Sequence, residues 1–162
     1  MTNHEIKVNF KEYKSITDLD KTAHDLCLEA VNAMKTSHSP YSKFRVGAAL
    51  LLESGKVILG SNQENIAYPS GLCAERVALF HWGANYPDDP IVAMAVTANT
   101  DEFELLQPTA SCGSCLQVMA ECEKMQGKPI ETILFCNKGP VWVMDSVASF
   151  LPFLFFEDGL LK

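Results

Sequence analysis

Ile91-Val92-Ala93-Met94-Ala95-Val96-Thr97-Ala98 is a near-continuous apolar run that follows a turn-rich stretch from Asn85 to Pro90. A strand with one wet face alternates apolar and polar residues, and this one does not. The run predicts a central strand buried on both faces, which requires helices or loops above and below it. Upstream, Val46 to Leu52 and Val57-Ile58-Leu59 flank Ser54-Gly55 and read as a hairpin. Downstream, Thr132 to Cys136 and Val141 to Met144 flank Asn137-Lys138-Gly139-Pro140 as two further strands.

Helical spacing fills the gaps. Leu19, Ala23, Leu26, Cys27, Ala30, Val31 and Met34 predict an amphipathic helix capped by Asp18 or Thr17 and running to about Lys35. A second helix opens at Cys73 and runs to about Trp82. A third opens at Cys112-Gly113-Ser114-Cys115 and stops near Gly127-Lys128-Pro129. Ile6, Val8 and Phe10 alternate as a short strand would, within a segment 1–17 read as an N-terminal extension to a single domain spanning 18–162. Strands alternating with helices give a layered α/β domain. No internal repeat or linker suggests a second one.

The chain has 162 residues, 48% of them hydrophobic, with a formal net charge of -7. That suffices for one proper core. No cluster of Lys or Arg could track a phosphate backbone, which argues against nucleic acid as a partner. The polar start and the absence of a long uncharged apolar run predict no signal peptide and no membrane span, hence a cytoplasmic protein. In a reducing compartment the six cysteines are free for metal or chemistry rather than disulfides. Cys27, Cys122 and Cys136 fall within predicted elements as small buried hydrophobes.

Cys112 and Cys115 supply two thiolates one helical turn apart, and Cys73 supplies a third from another helix start. Three protein ligands for one Zn2+ leave a fourth tetrahedral position open, as a catalytic site requires and a structural site does not. Helix N-termini favour thiolate. Three thiolates over-neutralise the ion, and Arg76 is the nearby cation that can offset the surplus. Glu75, two residues beyond Cys73, can reach a water at that position without being a ligand and serve as the proton shuttle.

Cys73-Ala74-Glu75-Arg76 and Cys112-Gly113-Ser114-Cys115 closely resemble the cytidine deaminase family, in its three-cysteine subgroup. Ser39 to Phe44, Val46-Gly47-Ala48, Asn62 to Asn65, Ala67-Tyr68-Pro69 and Leu151-Pro152 extend the resemblance over most of the chain. It implies a three-layer α/β/α fold with a central mixed sheet of about five strands. The implied activity is zinc-dependent deamination of cytidine and 2′-deoxycytidine in pyrimidine salvage, with a non-ligand Glu as acid and base, as in zinc deaminases generally. In that reading Asn62 and Glu64 bind the ribose, Phe44 stacks on the pyrimidine, and Ala74 meets the base amide through its backbone. A homotetramer is implied, with a dimer as the alternative, and Phe155 is the candidate cross-subunit contact. Ser111 and Leu116-Gln117 depart from the family's usual Pro before the cysteine pair and Arg-Gln after it. Competing readings are a deaminase of a modified nucleoside such as blasticidin S and a non-catalytic zinc-stabilised nucleoside-binding domain.

Overall fold

A computed structural model describes residues 1–160. The apolar run becomes β4 (Ile91–Asn99), with Met94 and Val96 buried on one face and Ala93 and Ala95 on the other. It lies inside a six-stranded sheet with β1 (Lys11–Tyr13), β2 (Arg45–Leu52), β3 (Val57–Ser61), β5 (Glu131–Phe135) and β6 (Val141–Met144). Their order is β1-β6-β5-β4-β2-β3. Only the β4–β5 pair is parallel, so the sheet is mixed. A parallel neighbour needs a long crossover, supplied here by α3 (Gly113–Gln126), which follows the loop after β4.

Helix α1 (Lys21–Ala33) covers one face. Leu26, Cys27 and Ala30 pack on Ala49, Ala95, Ile133 and Val143. On the other face, Ala78, Leu79 and Trp82 of α2 (Ala74–Asn85) and Met119 of α3 pack on Leu50, Met94, Val96 and Leu134. These are the three layers, each apolar face closed by helices. Full burial of a Leu-sized side chain contributes about 1.5–3 kcal/mol. Two such cores, one on each face of the sheet, hold the sandwich together.

Two local expectations shift. The N-terminal strand forms at Lys11–Tyr13 rather than at residues 6–10, because pairing is settled by β6: Lys11 lies opposite Val143 and Tyr13 opposite Val141. Lys11 also pairs with Asp145 at 2.7 Å, and Glu12 accepts from the Trp142 indole at 2.9 Å. Helix α1 is capped by Asp20, whose side chain accepts from the Ala23 N–H. Thr17 and Asp18 belong instead to a separate 3-10 turn, capped by Ser15. Among the described residues no helix is long and apolar enough to cross a membrane.

Candidate active site

Cys73 is the N-cap of α2 and Cys112 the N-cap of α3, both with extended backbone and no side-chain cap hydrogen bond. Each helix therefore starts with first-turn N–H groups that its cap residue leaves free, beside sulfur. Gly60 on β3 lets α2 seat close to the sheet, since a Cβ there would lie 2.3 Å from the Ala74 carbonyl oxygen. The start of α2 is thus fixed against the sheet.

The three sulfurs converge. Cys73 Sγ lies 3.8 Å from Cys112 Sγ, which lies 3.4 Å from Cys115 Sγ, and all three fall within 4.8 Å of one another. A tetrahedral zinc ion with Zn–S bonds of about 2.3 Å holds its sulfurs about 3.8 Å apart. The triangle fits one such ion. No histidine or carboxylate joins the cluster among the described residues, so three thiolates would hold the metal and a fourth position would stay open.

Arg76 donates to Cys73 Sγ at 3.9 Å, and Cys115 also feels its guanidinium. The hydrogen bond from the Cys115 thiol draws Cys73 down to about 6, against burial and with help from Arg76. Cys115 moves the opposite way, pushed up by giving that hydrogen bond, by burial and by the Glu75 charge. Glu75 is buried in the first turn of α2.

These groups border a cavity of about 860 Å³, ample for a small-molecule ligand. Cys73, Cys112, Glu75 and Arg76 line it together with Phe44, Asn62 and Glu64. Cys115 and Ala74 are fully buried and do not face the cavity.

Asn62 and Glu64 are also engaged with the chain itself. Asn62 Oδ1 accepts from Ser37 Oγ (2.5 Å) and the Val46 N–H (2.8 Å), while its Nδ2 donates to the Phe44 carbonyl at 2.8 Å. The Glu64 carboxylate accepts from the Tyr41 N–H at 2.9 Å and from the Ser42 hydroxyl. Burial alone would raise the Glu64 carboxyl, but the hydrogen bonds from Ser42 and Tyr41 outweigh it and bring it below its ordinary value. An Asn and a Glu just after a strand, facing the Ser-rich segment 37–42, were the available signal for this latch.

Other placements are less direct. Leu116 packs half-buried against the α2/α3 core, and Gln117 donates to the Phe155 carbonyl at 2.8 Å. The Ser111 hydroxyl is buried without a partner. Phe155 itself is exposed, outside the cavity lining. Thr97, also with a buried unpartnered hydroxyl, borders the cavity and escaped sequence reasoning because it sits inside the apolar run.

A three-thiolate triangle with a buried carboxylate, between a mixed sheet and two helix N-termini, defines a zinc hydrolase site on an α/β/α sandwich. Residues 1–111 match the family described as the cytidine and deoxycytidylate deaminase zinc-binding region, and the chain belongs to that family. It is 47% identical over 96 residues to the cytidine deaminase of Halalkalibacterium halodurans, covering 59% of this chain and 68% of the relative. To the Sporosarcina psychrophila cytidine deaminase it is 36% identical over 144 residues, 83% of this chain and 92% of the relative. The crystal structure of the Burkholderia pseudomallei cytidine deaminase superposes with a TM-score of 0.69 at 41% identity, covering 82% of this chain and 98% of that one.

Proposed function

We propose that the chain hydrolyses cytidine and 2′-deoxycytidine to uridine and 2′-deoxyuridine, releasing ammonia. The observation that carries this reading is Glu75, a buried carboxylate in the turn between Cys73 and Arg76, facing the cavity beside the three sulfurs. Zinc held by Cys73, Cys112 and Cys115 would supply the Lewis acidity that makes water a nucleophile near neutral pH. Everything else falls to the chain's own groups.

Glu75 takes a proton from the attacking water and gives it to the pyrimidine ring nitrogen. It then carries the second proton to the exocyclic amine, which leaves as ammonia. Arg76 offsets the sulfur charge. Phe44 offers its ring to the pyrimidine, whereas Ala74, fully buried and outside the cavity lining, is given no contact with the base. An amide NH₂ carries two donors, and the Phe44 carbonyl takes one of Asn62's, which leaves one for a ribose hydroxyl. Glu64 would accept from the sugar by exchanging the Ser42 hydroxyl. Burying such polar groups against a diol favours nucleoside over free base.

Residues 18–162 are the catalytic unit in this reading, with 1–17 as an extension that lends an edge strand. Self-association, as a homotetramer or a dimer, is supported by the exposed Phe153 and Phe155 in a tail held on α3 by Gln117 and by Lys124 over the Phe156 ring at 3.7 Å. A cytoplasmic role in pyrimidine salvage accords with it. A modified nucleoside such as blasticidin S and a non-catalytic binding domain are not favoured, the first by the names of the relatives and the second by the intact Glu75. The test is the ultraviolet change of cytidine with zinc-loaded protein: deamination is expected, and no turnover would contradict the reading.

A further inference from the structure

The loop between β4 and α3 has no helix or strand, yet it is tied down at three points. Asp101 accepts a two-pronged ion pair from Arg45 on β2, at 3.0 and 2.7 Å. Glu104 pairs with Lys138 in the turn between β5 and β6. The Leu106 carbonyl closes on Gly139, where a Cβ would come within 2.6 Å of it. One exposed ion pair contributes little. These three contacts bracket residues 101–106, and Phe103 stands in that stretch.

The Phe103 ring stacks on Phe44, with centroids 6.3 Å apart and planes at 26°. Phe44 lines the large cavity and Phe103 does not. Phe103 lines instead a separate cavity of about 240 Å³ with Glu104, Leu105 and Lys138. Phe44 therefore lies between the active-site cavity and Phe103. Its backbone is already held, the N–H donating to Ser42 Oγ at 3.0 Å and the carbonyl accepting from Asn62. What those bonds leave free is the ring, and the ring is what Phe103 touches. Phe103 is 59% exposed, so it is not there as core, and truncating it removes little burial.

We propose that Phe103 is a positioning residue that backs the ring of Phe44 and so sets the face on which the pyrimidine stacks. This rests on the reading of Phe44 as the pyrimidine's stacking partner. An aromatic pair that holds a side chain ready lowers the ordering cost of binding without touching the reacting atoms. Its loss should therefore appear in KM and not in kcat.

The experiment is steady-state deamination of cytidine by the full zinc-loaded chain and three variants, with melting temperature and zinc content alongside. Phe103→Ala and the similarly bulky but non-aromatic Phe103→Ile should raise KM about three- to tenfold, the size of one lost aromatic contact, with kcat within about twofold. Phe103→Tyr should restore the KM. Unchanged KM in Phe103→Ala or Phe103→Ile would overturn the proposal. So would a fall in kcat at constant KM, which would put the loop on the chemistry or on product release. A normal wild type with an unaffected Phe103→Ala overturns Phe103 alone, whereas a wild type without turnover overturns the catalytic reading and this inference with it.

Discussion

Replacing Gly60 by Ala tests whether the sheet sets the position of the active-site helix. A Cβ on Gly60 would sit 2.3 Å from the Ala74 carbonyl oxygen, 2.6 Å from the Ala78 nitrogen and 2.9 Å from the Ala78 Cβ. Backbone atoms cannot swing aside. Ordinary non-bonded contact begins near about 3.5 Å, so α2 must back away by about 1 Å. Overpacking of this kind costs about 1–3 kcal/mol, roughly a 2–12 °C fall in Tm for a chain of this size. The displaced turn carries Cys73 and Glu75, and a misplacement of about 1 Å is worth about a hundredfold in rate. Gly83 provides the control, because it lies in the same helix and an added Cβ there meets nothing within 4 Å. Gly83→Ala should stabilise by about 0.5–1 kcal/mol through helix propensity alone, with zinc content and turnover unchanged. Melting by circular dichroism, bound zinc by elemental analysis and kcat/KM on cytidine give the three readouts. A Gly60→Ala protein with wild-type values in all three would refute the reasoning.

Asn62→Ala strands the Val46 N–H and the Phe44 carbonyl; it should cost about 1–3 kcal/mol in chemical denaturation and raise KM as Phe44 loosens. Thiol labelling of metal-free protein, read by peptide mass mapping, should reach Cys73 and the exposed Cys112 first, and zinc should protect both. With Cys73 near 6, its thiolate is nearly full at about pH 8 and its labelling rate should halve as pH falls from there to about 6. Cys27, pushed by burial up to about 12, holds only about one thiolate in ten thousand at pH 8 and should stay unlabelled until the chain unfolds. Zinc removal by a chelator should abolish turnover while leaving the circular dichroism spectrum intact, because the two cores carry the fold; unfolding on chelation would contradict that.

Much of this architecture was legible because local pattern and tertiary demand agree. The β4 run had to be buried on both faces, and both cysteine segments open helices as their flanking periodicity predicts. Where two local answers were equally good, the fold chose. Asp18 and Asp20 are both competent caps, and Ser15 claims the turn before Asp20 starts the helix. The edge strand moved to residues 11–13 because its register belongs to β6. At the site, the sulfur cluster was readable from spacing, since Cys-x-x-Cys places two sulfurs together whatever the rest does. Asn62 and Glu64 were readable as polar cavity residues, but their bonds to residues 37–46 were not, because those partners are distant in sequence and set by the sheet. Phe103 left no signal for the same reason: only the anchors at Arg45, Lys138 and Gly139 bring it to Phe44.

The central claim is that one buried carboxylate turns a three-thiolate zinc site into a deaminase. Its most direct test is Glu75→Gln, measured for bound zinc and for cytidine turnover in the same preparation. About one zinc per chain should remain, since Glu75 is not a ligand, while turnover falls by at least about a hundredfold to ten-thousandfold. A Glu75→Gln protein that keeps its zinc and deaminates cytidine at the wild-type rate would contradict it.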